Sequence, residues 1–214
     1  MPPNWETALV NRWRENFDNF DIAQERTKIV RFCQKRGIQF EDIMEAMERE
    51  PMMRWYFVKD PKKQNIYERV AAEYLRAMEL VINFRHLTSR ELLLAGGMTM
   101  GTNEARQRGA DPRAKSIDFR WTTGTHTVFA SHKYTEESGG AQDNQYRDLL
   151  DFMEEARRST APDVVFIAIA DGPFYDTQDE RLNCRRIDCL RSRGSRRVFA
   201  GRIDDVPDIL AGLD

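Results

Sequence analysis

The feature that most constrains the fold is the run Asp163, Val164, Val165, Phe166, Ile167, Ala168, Ile169 and Ala170, bounded by Pro162 and by Asp171-Gly172-Pro173. An unbroken apolar stretch closed by turn formers reads as a strand buried on both faces. Residues 116–121 and 126–135 are rich in β-branched and aromatic side chains and flank Thr122-Thr123-Gly124-Thr125, which predicts a β-hairpin. From residue 141 an amphipathic helix follows, with Leu149, Leu150 and Met153 as its apolar stripe. Residues 198–201 read as a further short strand and residues 205–213 as a closing helix that Asp204 or Asp205 can cap. The order hairpin, helix, buried strand, strand, helix implies an α/β layer with a mixed sheet.

The N-terminal third is helical by periodicity. Leu9, Trp13 and Phe17 form one stripe, Ile29, Val30 and Cys33 a second, and Ile43, Met44 and Met47 a third after a break at Gly37. Asp60-Pro61-Lys62-Lys63 breaks the chain again. Residues 66–84 predict a long helix presenting Val70, Tyr74, Ala77 and Val81, residues 89–94 a shorter one, and residues 96–113 an exposed loop able to contact DNA. The expected organisation is a helical region over 1–60 packed on a core over 61–214, together one compact domain. A chain of 214 residues, 41% hydrophobic and 32% charged, can bury one substantial core of that kind.

Within the hairpin, Asp118 lies on the first arm. Alternation along the second puts Phe129, Ser131 and Lys133 on one face and Val128, Ala130, His132 and Tyr134 on the other. Ser138-Gly139-Gly140 should end that strand, so the next helix starts beside the hairpin. Two plain alternatives stand: Asp118 as the partner of Arg120 or a turn cap, and Lys133 as a solvated edge residue.

Over residues 115–175 the chain resembles the PD-(D/E)XK nuclease superfamily and, within it, the type II restriction endonucleases. Asp118 and Lys133 match the family's Asp and Lys, while Ser131 stands where the middle acid belongs. The octet Gly139-Gly140-Ala141-Gln142-Asp143-Asn144-Gln145-Tyr146 resembles the Gly-Gly-x-Gln-Asp-Asn-Gln stretch that follows the Lys in many restriction enzymes. Gln142 with Tyr146 also fits the Gln-x-x-x-Tyr pattern of related exonucleases. The resemblance implies a restriction-endonuclease-like mixed central sheet flanked by helices and Mg²⁺-dependent, sequence-specific hydrolysis of double-stranded DNA. It also implies a homodimer on a palindromic site and a cognate DNA methyltransferase in the cell.

Phosphodiester cleavage builds negative charge that a hard cation held by carboxylates offsets while acidifying a bound water. Asp118 would be the first ligand, with the carbonyl beside Ser131 a second, and Lys133 would hold the water or a phosphate oxygen. A single carboxylate is a poor Mg²⁺ cage. Relatives with Ser at the middle position take an acid from the following helix, which makes Asp143 or Asp148 the candidate; Glu136, Glu137, Glu68 and Glu91 are others, and Asp143 and Glu91 rank first. Ser131 also admits a catalytically inactive DNA-binding relative, and the Gln142/Tyr146 match a repair or recombination nuclease acting on ends or branches.

The formal net charge of -2 does not advertise nucleic-acid binding, but charge distribution matters more than the sum. Arg185, Arg186, Arg191, Arg193, Arg196 and Arg197 form the densest basic segment and are the candidate DNA contacts, with a solvated loop as the alternative. Cys33, Cys184 and Cys189 form no CxxC pair, so neither a disulfide framework nor a zinc site is expected. No window approaches 18 apolar residues and the N-terminus lacks a charged region before an apolar core, so a cytoplasmic protein away from membranes is expected.

Overall fold

The computed structural model describes residues 2–88, 91–109, 114–136 and 140–213. The chain divides into two compact units, Asn4–Val70 and Ala71–Asp214.

The first unit holds α1 (Trp5–Asp18), α2 (Ile22–Arg36) and α3 (Phe40–Arg49), as the periodicity predicts. Asn4 and Asp21 cap α1 and α2 by accepting from the backbone N–H groups of Thr7 (2.9 Å) and Ala23 (2.8 Å). Gly37 closes α2 in the left-handed region at φ 64°, where a side chain would be strained. Ile29 and Cys33, one turn apart on α2, pack with Ile43 and Met47 of α3 and with Phe57 to form this unit's core. Helix α4 (Ile66–Arg76) spans the division.

The second unit is a mixed α/β structure. Its main sheet has the order β1 (Ile82–His86), β5 (Phe119–Thr123), β6 (His126–Tyr134), β7 (Val164–Asp171) and β10 (Val198–Gly201). Strands β1, β5 and β6 form an antiparallel meander, and β7 lies parallel to both β6 and β10. A parallel neighbour requires a crossover, which α6 (Gly140–Arg157) supplies between β6 and β7. Leu149, Phe152 and Met153 of α6 pack on Phe129, Phe166, Ala168 and Ala170, so α6 covers the sheet face that carries Phe129. From Val165 to Asp171 strand β7 is buried throughout, as its apolar run predicts. The second arm of the hairpin, α6, β7 and β10 thus form where the sequence places them.

Other expectations give way. The predicted helix over 66–84 stops at Arg76, and Ile82–His86 is instead strand β1, because its pairing with β5 outweighs the helical spacing of Ala77 and Val81. The predicted helix over 89–94 is strand β2 (Leu92–Ala95), and the predicted loop over 96–113 contains β3 (Met98–Gly101) and α5 (Thr102–Gln107). Gly96 and Gly97, at φ 58° and 78°, form the two-residue link of a tight hairpin in which Ala95 pairs with Met98. The arm predicted as one strand over 116–121 is divided. Lys115–Ser116 (β4) pairs with β2 in a second sheet, while residues from Phe119 join the main one. Residues 89, 90, 110–113 and 137–139, and with them Glu137 and part of the predicted strand break, lie outside the described residues.

Beyond β7 a short hairpin pairs β8 (Gln178–Asp179) with β9 (Cys184–Arg185) and leads into α7 (Arg186–Arg191). Cys184 and Cys189 form a disulfide there, contrary to the expectation of reduced thiols, because β9 and the first turn of α7 bring their Cα atoms to 5.8 Å. The closing helix is shorter than predicted, with a 3₁₀ turn over Ile203–Asp205 and α8 over Val206–Ala211; Asp205 caps the turn by accepting from the Arg202 N–H at 2.7 Å. No helix among the described residues is long and apolar enough to cross a membrane.

Candidate functional site

Asp118 sits in the two-residue passage where the chain leaves the small sheet for the main one. Its backbone is fixed from both sides, since its N–H donates to the Ala130 carbonyl and its carbonyl accepts from the Leu87 N–H, each at 2.9 Å. The side chain is thereby delivered to the face that carries Ser131 and Lys133, which share a face because they are two residues apart on β6. Asp118 Oδ2 accepts from the Ser131 hydroxyl at 3.1 Å and the His132 N–H at 2.8 Å, and it lies 3.5 Å from Lys133 Nζ. Asp118 and Ser131 are buried, and Lys133 is partly exposed. Opposite Ser131 and Lys133 on β7 stand Ala168 and Ala170, which are buried in the core under α6.

Ser131 and Lys133 open onto a cleft of about 270 Å³ whose other walls include Leu93, Lys115, Ser116 and Asp148. Lys115 lies on β4, and its ammonium bridges Asp148 at 3.0 Å and Asp151 at 2.9 Å on α6. Burial disfavours that ammonium, but the hydrogen bonds it donates to Asp151 and Asp148, with their negative charges, outweigh the penalty and raise its pKa above the ordinary lysine value. The cleft is thus lined by Asp148 with Lys115 and by Lys133, whose acid partner Asp118 is buried against Ser131 and Lys133 in its wall.

The two acids ranked first by sequence are not brought to this cleft. Asp143 lies 3.7 Å from the Arg186 guanidinium and lines a separate cleft of about 580 Å³ with Tyr146, Gln178 and Asp179. Glu91, exposed just before β2, accepts from the Thr88 N–H and hydroxyl and from Arg85 at 2.5 Å. The Thr88 N–H, followed by the Thr88 hydroxyl and the Arg85 charge, holds its carboxyl below the ordinary glutamate value. It is not on a helix, as expected, because residues 92–95 are a strand.

Gln142 is in the first turn of α6, half-exposed, while its neighbour Gln145 makes the tie to the sheet by accepting from the Thr135 hydroxyl at 2.8 Å. Tyr146 is buried against Tyr175, and burial followed by the Asp179 carboxylate pushes its hydroxyl up to about 12. On the opposite face of β6, His132 Nε2 meets Asp171 Oδ2 at 3.1 Å inside the sheet core. Asp171 Oδ1 also accepts from the Ile203 N–H, so this pair ties β6, β7 and the C-terminal turn together.

Neither the known family models nor the curated proteins yield a match to the sequence.

Most of the candidate DNA-contacting arginines are engaged internally. Arg185 pairs with Asp188 (2.7 Å) and Arg191 with Asp205 (2.6 Å); Arg197 donates to the Ala161 carbonyl (3.5 Å). Arg186 lies over the Phe174 ring and donates to the Thr177 hydroxyl and the Gln178 carbonyl. Arg196 is exposed and Arg193 half-exposed. Asp148 was among the sequence candidates, whereas the role of Lys115 carried no signal: only the pairing of β4 with β2 swings it over α6.

Among the described residues no three His, Cys, Asp or Glu side chains form a ready-made metal cage. Mg²⁺ does not require one, since it is commonly held by one or two carboxylates completed by water and substrate phosphate oxygens. Asp148, which lines the cleft, and Asp118, bonded to the wall residues Ser131 and Lys133, are the carboxylates that would supply such a set.

Proposed function

We propose that this chain is a Mg²⁺-dependent endonuclease of the PD-(D/E)XK type, a type II restriction enzyme acting on double-stranded DNA. The observation that carries the reading is that Ser131 and Lys133, both in contact with the buried Asp118, line one cleft with Asp148 from the following helix. The order of an antiparallel meander, a crossover helix and a parallel fourth strand supports it, because that order brings Asp118, just before β5, against Ser131 and Lys133 of β6.

In this reading Asp118 and Asp148 would hold the cation, which when bound would offset charge on the phosphate and acidify a water. Ser131 takes no acid role. Its hydroxyl, with the His132 N–H, fixes the Asp118 carboxylate in one rotamer. Lys133 presents its ammonium at the mouth of the cleft, where it can donate to the attacking water or to a non-bridging oxygen. The water oxygen bonds to phosphorus as it gives up a proton to solvent, and the P–O3′ bond breaks with O3′ taking a proton from solvent, leaving a 5′-phosphate and a 3′-hydroxyl. A homodimer on a palindrome and a partner methyltransferase complete the proposal.

A second reading, a DNA-binding protein without cleavage, is favoured by Lys115, whose ammonium already occupies Asp148 and Asp151. Incubation with supercoiled plasmid in Mg²⁺ or EDTA, beside Lys133→Ala, separates the two. Discrete Mg²⁺-dependent fragments that vanish in the variant support the nuclease, and DNA binding with no cutting by the wild type supports the second reading.

A further inference from the structure

Helix α2 of the first unit carries a face that the cleavage chemistry does not use. Gln24, Lys28, Arg31 and Lys35 recur at helical spacing along one solvent-exposed stripe, with Thr27 beside it. They line an open groove of about 490 Å³ together with Phe32 and Arg36. The stripe runs for about 16 Å of helix axis, a length over which one DNA strand carries about five phosphates.

The cations on this face are not consumed by acids. Glu25 is the acid in the groove, and Lys59 holds it at 3.4 Å. Arg31 and Lys35 have no hydrogen-bond or ion-pair partner among the described residues. Lys28 donates to the Phe57 and Val58 carbonyls, and Arg36 lies 4.0 Å above the Phe32 ring, so both keep their positive charge. Of the unit's acids, Glu41, Asp42, Glu45 and Glu48 lie on α3, while Glu15 and Asp21 meet Gln24 and Glu25 in a neighbouring cleft at the N-terminal end of the stripe. Favourable placement at a helix C-terminus accounts for Lys35 and Arg36, but Arg31 stands more than a turn earlier. Phe32 is the aromatic side chain of the groove, and the exposed Tyr56 packs beside it with ring centroids 6.3 Å apart.

We infer that the α2 groove binds the phosphate backbone of a nucleic acid, with Arg31 and Lys35 as the principal contacts and Gln24 and Thr27 as polar ones. Charged side chains in register with a polyanion, interleaved with an aromatic ring, are the composition that non-specific backbone binding selects. The inference rests on this unit's charge pattern and stands whether or not the second unit cleaves.

The test is fluorescence anisotropy of the full chain with a labelled duplex and, in parallel, a labelled single strand, in EDTA so that cleavage is silent. The wild type should bind at least one of them. Arg31→Ala/Lys35→Ala should weaken that binding about tenfold or more and flatten the salt dependence by about two units of slope, while Arg31→Lys/Lys35→Arg restores both. Plasmid cleavage in Mg²⁺ is assayed separately on the wild type, so absence of cutting with retained, α2-dependent binding in EDTA separates failure of the nuclease reading from failure of this one. Wild-type-level binding by the double alanine variant, no binding of either nucleic acid by the wild type, or equal competition by polyglutamate would each overturn the inference.

Discussion

The chain has two basic regions, and they behave in opposite ways. The arginines of α7 and its flanks are the denser in sequence, yet Arg185, Arg186, Arg191, Arg197 and Arg202 are tied to Asp188, Thr177, Asp205, the Ala161 carbonyl and Asp176. The basic residues of α2 are fewer, and Arg31 and Lys35 stay clear of any acid. The difference lies in what is interleaved. Asp176, Asp188 and Asp205 fall within reach of the arginines once the β8–β9 hairpin and α7 fold back on the sheet, whereas α2 holds one acid among its fifteen residues. Charge density in a sequence therefore measures supply, and the fold decides how much of it remains available.

This contrast makes the C-terminal arginines struts, and the most sensitive point is what they brace. Gly172, at φ 96°, accepts from Arg202 at 2.7 Å, and a Cβ there would lie 2.2 Å from the Thr135 carbonyl oxygen. Gly172→Ala should destabilise the protein by about 3 kcal/mol through strain and displacement of the end of β6, read as a fall in the urea midpoint. Arg202→Ala, which removes the donors to Gly172 and Asp176, should cost about 2 kcal/mol by the same measurement. Arg31→Ala/Lys35→Ala should change stability by no more than about 0.5 kcal/mol, as befits exposed side chains without partners. If the α2 variant proved the more destabilised, the division into struts and free cations would be broken.

Lys115 belongs to a third class, a cation that holds the acids of the candidate site. Its pKa is raised by Asp151 and Asp148, so its contribution to stability is fully present below the ordinary value of 10.5 and is lost as pH rises through the higher folded-state value. The Tm difference between wild type and Lys115→Met should thus be flat across neutral pH and shrink only in strongly alkaline solution. A difference that vanished between neutral pH and 10.5 would contradict the pairing.

The sequence makes the sheet's interior legible because the apolar run of β7 and the alternation of β6 admit few other structures. It misreads β1 and β2 because short strands with apolar residues at helical spacing are indistinguishable from helix by periodicity alone. The Gly96-Gly97 pair was a hairpin signal that the loop reading passed over. At the site, Asp118 and Lys133 were readable from motif and alternation. The choice between Asp143 and Asp148 was not, since five residues turn a helix by about 140° net and only the docking of α6 fixes which face meets the cleft. The availability of each arginine was equally hidden, because their partners come from the Asp176 and Asp205 turns.

The most direct test of the account is Mg²⁺-dependent cleavage of supercoiled plasmid by Asp148→Asn and Asp143→Asn beside the wild type, each variant confirmed folded by its circular dichroism. Cutting by the wild type that Asp148→Asn loses by about a hundredfold or more while Asp143→Asn retains it is the predicted result, since a metal site loses that much affinity or activity when its supports are removed. Full activity in Asp148→Asn, or its loss in Asp143→Asn alone, would contradict the assignment of the cleft.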